Sequence, residues 1–149
     1  MALSAGRNTP MRQPGIRSAL MAASVTAFAG ALLMRNAAGY VTKGATATGS
    51  VGVGRCESEV INAGSAGDER VDFREGTFLF KNSSSTDAIT VAEIGDVCWI
   101  VDDETVAKTS GTNTRSIAGF VADVDAQGVW VRFDEVLARL YVEGVANPA

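Results

Sequence analysis

Residues 116–133 read Ser116-Ile-Ala-Gly-Phe-Val-Ala-Asp-Val-Asp125-Ala-Gln-Gly128-Val-Trp-Val-Arg-Phe133. Val129, Val131 and Phe133 alternate with Trp130 and Arg132, a period of two that sets one side of a strand on a core and the other toward water. Residues 116–125 form a second apolar run, and the polar Asp125-Ala-Gln-Gly128 between the two has the composition of a tight turn. The stretch therefore predicts a β-hairpin. The same alternation recurs upstream in 77–81, where Phe78 and Phe80 oppose Thr77, Leu79 and Lys81. Further strand candidates are 50–56, 69–74 and 96–102, with turn signals about every 8–12 residues, the spacing of an all-β sandwich or barrel. Nearer the N-terminus, 31–35, a turn at Asn36-Ala-Ala-Gly39 and 40–43 make another hairpin. Its layout echoes the hairpin at 118–130 without requiring a true repeat.

Two helical signals interrupt this pattern. Thr90-Val-Ala-Glu93 has capping-box spacing and predicts a single turn ending at Gly95. After Asp134, Val136, Leu137, Leu140 and Tyr141 fall at helical spacing with Gly144 as a stop, which predicts a short C-terminal helix.

The chain has 149 residues, 46% of them hydrophobic, enough for one core with appendages. Its net charge of −4 is unevenly spread. Residues 1–35 hold Arg7, Arg12, Arg17 and Arg35 and no acid, whereas the rest holds nine bases against all 17 carboxylates. An acidic body disfavours nucleic acid as the main partner, because duplex binding depends on a basic face that neutralises phosphates. Four arginines without interleaved aromatics are also a thin footprint for a single strand. Residues 1–15, punctuated by Gly and Pro and without periodicity, predict an extended arm that orders on meeting a surface.

Residues 18–34 are uncharged and imitate a signal peptide, with a small-residue site near Ala27-Phe-Ala-Gly30. The long basic region before them contains Pro10 and Pro14, and the apolar run is diluted by Ser18, Ser24, Thr26 and several alanines, so a leader is the secondary reading. A membrane-spanning helix needs about 20 strongly apolar residues, more than this stretch supplies. The domain reading is an arm over 1–27, a β body over 28–133 and a helix or tail over 134–149.

The search for chemistry returns structural readings. Histidine is absent, which removes the commonest general base and metal ligand. Asp123, Asp125, Gln127 and Asp134 come near a calcium-loop spacing, but the flanks read as strands. Asp102-Asp103-Glu104 reads as a solvated turn between strands rather than a carboxylate pair for acid–base work. Gly49, Gly52 and Gly54 lack the residues of a phosphate cradle and read as close backbone approach or a twisted edge strand. Cys56 has no histidine to activate it, and Cys98 lies in the apolar run Val97-Cys-Trp-Ile-Val101, so both are expected to be free thiols. Trp99, in that run, is expected in the core, and Trp130 is expected to face outward as a possible interface aromatic. No catalytic residue, cofactor or metal site is expected.

Several stretches carry a resemblance: Met1-Ala-Leu-Ser-Ala-Gly-Arg7-Asn-Thr-Pro10, Ala29-Gly-Ala-Leu-Leu-Met-Arg-Asn-Ala-Ala-Gly39-Tyr40 and Ala47-Thr-Gly-Ser-Val-Gly-Val-Gly-Arg55. Gly76-Thr-Phe-Leu-Phe-Lys-Asn-Ser83, Ile94-Gly-Asp-Val-Cys-Trp-Ile-Val-Asp-Asp-Glu-Thr-Val106 and 118–131 belong with them. Together they resemble the small capsid cement, or head decoration, proteins of tailed bacteriophages over most of residues 1–133. The resemblance implies a small β-barrel or β-tulip body on the outer surface of a phage head, made in the host cytoplasm and retained in the virion. It implies the major capsid protein as partner, homotrimers on the capsid, and stabilisation of the expanded shell by bridging subunits, with no enzymatic activity, direct nucleic-acid partner or membrane. An arm can add main-chain hydrogen bonds to an exposed sheet edge, which nominates Leu3, Arg7, Arg12, Ile16 and Arg17 as capsid-binding residues. The alternative is a secreted or periplasmic β-barrel binding module whose first ~29 residues are a cleaved signal peptide.

Overall fold

The computed structural model describes residues 2–12 and 15–144. Its strands are β1 Ile16–Leu20, β2 Val25–Ala27, β3 Leu32–Arg35, β4 Val41–Lys43, β5 Val51–Cys56 and β6 Val60–Asn62. They continue with β7 Arg70–Arg74, β8 Thr77–Asn82, β9 Val97–Ile100, β10 Thr105–Ala107, β11 Ile117–Asp125 and β12 Gly128–Arg132, before one helix, α1, at Glu135–Glu143. The chain is all-β with a short C-terminal helix.

Strands β11, β12, β8, β10 and β9 pair in that order, and β9 pairs back onto β11, so five strands close a small barrel. Val129 and Val131 on β12, Phe80 on β8, Cys98 and Ile100 on β9 and Val106 on β10 fill it, with Phe133 edge-on to Phe80 at a centroid distance of 5.8 Å. Alternation on β8 and β12 sends these side chains inward, as the sequence predicts. On β11 the inward residues are Ala118 and Val121, three apart, because the register shifts between Ile117 and Gly119 and again between Val121 and Asp123.

A second group of strands runs β1-β7-β5-β3-β4, and Met21, just past β1, bridges Val41 of β4. This arrangement encloses a separate core of Ala19, Met21, Leu33, Val41, Val53, Val71 and Phe73. Strand β3 is the wall between the two cores: Leu32 and Met34 point into the first and Leu33 into the second, and all three are buried. Strand β5 lies beside it, pairing with β3, β7 and β11. It is therefore an interior strand, and the edge-strand reading of its glycines is corrected. Close approach is what they provide. A Cβ on Gly52 would sit 2.1 Å from the carbonyl oxygen of Ala118, and one on Gly54, at φ 152°, would sit 2.2 Å from that of Arg74.

The arm is shorter than residues 1–27. Residues 16–20 and 25–27 are strands, β1 pairing with β7 and β2 with β6, and Ala19, Met21, Val25 and Ala27 are buried. The uncharged run was too diluted to read as strands, yet its small and apolar residues fill the second core. Strand β10, only three residues long, was also missed, since Asp102 to Glu104 interrupts the apolar pattern ahead of it. The hairpin at 31–43 is as expected: Asn36 Oδ1 accepts from the N–H groups of Ala38 and Tyr40, and Gly39 takes φ 95°. So is the capping box, where Thr90 and Glu93 bond reciprocally ahead of a single 3-10 turn.

Substituting Gly52→Ala should force β5 away from β11 and lower unfolding free energy by about 3 kcal/mol or more, the upper part of the range for single substitutions. Urea unfolding would measure it, and a loss under about 0.5 kcal/mol would contradict the close approach.

Candidate functional site

Residues 2–12 have no secondary structure and every one is exposed, Leu3 to 71%. Arg7 and Arg12 lie on this segment. Arg17 lies on β1 opposite Phe73, and Ile16, opposite Arg74, remains 50% exposed. The five residues proposed from sequence for capsid binding thus divide: Leu3, Arg7 and Arg12 are on the free arm, whereas Ile16 and Arg17 belong to the body's first strand. Among the described residues, no ion pair involves Arg7, Arg12 or Arg17, whereas Arg55, Arg74, Lys81, Lys108, Arg115, Arg132 and Arg139 each pair with a carboxylate of the body. Strand β1 ends the sheet order, with β7 on one side and no strand paired on the other among the described residues. In sequence, the arm thus precedes the strand that ends the sheet order.

A second exposed surface is α1. Asp134 caps it, accepting from the Leu137 N–H, and Gly144 at φ 78° ends it. Glu135 ties it to β3 by accepting from Arg35 Nε at 2.6 Å. Only Ala138 is buried, against Val51 and Ile117, so Val136 (81%), Leu137, Leu140, Tyr141 (57%) and Val142 are left in water. Contiguous exposed apolar surface of this kind marks an interaction site.

Trp130 points away from the barrel, between the fully buried Val129 and Val131, and is half-buried. Its Nε1 donates to Asp125 Oδ2 at 3.0 Å across the hairpin turn, which commits its polar edge within the chain. Trp99 departs from expectation. Cys98 and Ile100 take the inward positions of β9, so Trp99 lies on the outer side of the barrel beneath α1, packed with Val97 and Phe120. The continuous apolar run hid this, because β9 is covered on both sides and alternation in polarity disappears.

The remaining sequence candidates are structural. Asp102 Oδ1 accepts from the Glu104 N–H, and Glu104 pairs with Lys81 at 2.8 Å, so the acidic run is a turn. Asp125 Oδ1 accepts from the Gln127 N–H, and its carboxyl is held below the usual range first by Trp130 and then by this turn. Among the described residues no three His, Cys, Asp or Glu side chains are grouped to hold a metal ion, and no helix is long and apolar enough to cross a membrane. Both cysteines are free and buried. Burial pushes the Cys98 thiol up to about 12 and raises that of Cys56, so neither presents a thiolate near neutrality.

The chain matches no family model, no curated protein and no solved structure.

Native protein at pH 8 should resist iodoacetamide at both cysteines and react at both in denaturant; rapid native labelling of either would overturn the burial described. A pH dependence follows from Asp87. Burial alone would raise its pKa, but the Thr109 hydroxyl, the Arg115 guanidinium at 2.7 Å and the Thr109 N–H outweigh it and hold the carboxyl below its ordinary value. A depressed carboxyl stabilises the fold above the unfolded pKa of about 3.9, and its contribution disappears as pH falls through the lower folded value. Asp87→Ala should therefore lower Tm by about 3 °C or more at pH 7, with the gap from the parent narrowing toward pH 2; a gap independent of pH would contradict this.

Proposed function

We propose that this protein is a non-enzymatic capsid decoration protein of a tailed bacteriophage. It binds the outer surface of the head through its arm and body and stabilises the expanded shell by bridging major capsid protein subunits. The observation that carries the reading is the arm: residues 2–12 are wholly exposed, Arg7 and Arg12 form no ion pair among the described residues, and in sequence the segment precedes β1, which ends the strand order. An extended segment of this kind gains main-chain hydrogen bonds by joining a partner sheet, with side chains such as Leu3 setting specificity. The arginines suit an acidic partner surface, where each guanidinium can take a carboxylate bidentately.

Bridging needs a second contact, and the exposed Val136, Leu137 and Leu140 of α1 offer one. A protein that binds the expanded lattice better than the unexpanded one stabilises the expanded form in proportion to that difference. Assembly as a homotrimer would multiply modest contacts into tight attachment. The sequence resemblance to cement proteins supports the same reading. The secreted-module alternative is weakened by the packing of 16–27: cleavage near residue 29 would remove β1 and β2 and open the second core, which includes Ala19 and Met21.

Full-length protein should co-sediment saturably with expanded phage heads and weakly with unexpanded ones. Deleting residues 2–12, which leaves β1 intact, should weaken binding at least about tenfold, a loss of 1.4 kcal/mol, without changing Tm. Absence of binding to either head form would refute the proposal.

A further inference from the structure

Tyr141 of α1 borders a recess that the proposed capsid contacts do not use. Trp99 from β9, Phe120 from β11 and Tyr141 from α1 converge on it, and Glu93, Asp96 and Lys108 complete its lining. Its volume is about 520 Å³, and a second recess of about 230 Å³, lined also by Ser50, Arg115 and Ser116, shares Trp99 and Tyr141 with it. The larger one falls within the roughly 300–1,000 Å³ of clefts that bind small molecules.

Several polar groups at this site have no partner among the described residues. The Trp99 indole N–H, the Tyr141 hydroxyl and the Asp96 carboxylate take part in no hydrogen bond or ion pair with another described residue, in contrast to Trp130, whose N–H is committed to Asp125. These groups face solvent, so they are free to bond a ligand that enters the recess. The other charges are fixed in place. Glu93 accepts from the Thr90 N–H and hydroxyl and pairs with Lys108 at 3.3 Å, so the rim is held by the capping box.

We propose that this aromatic cleft is a saccharide-binding site. A pyranose ring has an apolar C–H face that packs on an aromatic ring and a rim of hydroxyls that both donate and accept. Trp99 and Tyr141 supply ring faces, Asp96 and Glu93 accept from hydroxyls, and the Trp99 N–H and Lys108 donate to them. Two recesses that share Trp99 and Tyr141 suit an oligosaccharide better than a single sugar. The carboxylates disfavour an anionic ligand. A flat protein contact is disfavoured as well, because charged residues are depleted at the centre of such interfaces. The site does not depend on the capsid assignment.

The test uses the full chain carrying Trp130→Phe, so that Trp99 is the sole tryptophan reporting fluorescence. A panel of neutral and N-acetylated hexose oligosaccharides of two to four units is titrated. The expected result is a saturable change with at least one member, weakened tenfold or more by Tyr141→Ala and by Asp96→Asn with Tm unchanged. Tyr141 and Asp96 are exposed, so these variants test the site without endangering the core. No response across the panel, or binding unaffected by both substitutions, overturns the proposal. So does saturable capture of a synthetic peptide of residues 2–12 in place of any sugar, which would make the cleft a protein contact.

Discussion

The structure depends on one close approach. Strand β5 is wedged between β3, β7 and β11, and the missing side chains of Gly52 and Gly54 let the backbone carbonyls of Ala118 and Arg74 come well inside the van der Waals contact distance of a Cβ. Without that contact the closed barrel and the second core would separate, because β5 is where the strand path crosses from one to the other. Strand β3 then seals the join, placing Leu32 and Met34 in one core and Leu33 in the other. A chain of this length thereby holds two small cores that share a wall, and the shared wall makes them one folding unit.

That wall also explains which surfaces are free. With the interior strands consumed by pairing, the outer side of β1 and the helix laid over β5 and β11 are among the surfaces left to meet a partner. The helix is held by one buried alanine and the Arg35–Glu135 ion pair, so its larger apolar residues are turned outward. The body's basic residues are largely paired with its acids, whereas those of the arm are not. Charge is thus sorted within the chain: the acidic body is internally balanced at many points, and unspent positive charge is concentrated on the segment best able to reach another surface.

Much of this was legible in the sequence where polarity alternates. The hairpin at 117–132, the strand at 77–82, the Asn36–Gly39 turn, the capping box at Thr90 and the helix after Asp134 all have strong local signatures, and the all-β class followed from them. What was not legible lacked a local polarity signal, for different reasons. Where a segment is covered on both sides, alternation vanishes, so Trp99 read as core although it lies between the barrel and α1. Where buried residues are small, as in 18–27, burial leaves little hydrophobic signal, and β1 and β2 were absorbed into the arm. The arm's exposed part, the arginines and Leu3 were identifiable from composition; the convergence of Trp99, Phe120 and Tyr141 was not, because no local pattern links strands β9 and β11 to a helix at the end of the chain.

The most direct measurement is amide hydrogen exchange on the free protein and on the protein bound to expanded phage heads. The account predicts slowest exchange in β3, β5 and β11 in both states, fast exchange across 2–12 in the free protein, and new protection in 2–12 and β1 on the heads. An arm that exchanges equally fast in both states while the protein remains attached would contradict its role as the gripping segment, and fast exchange in β3 and β5 would contradict the shared wall.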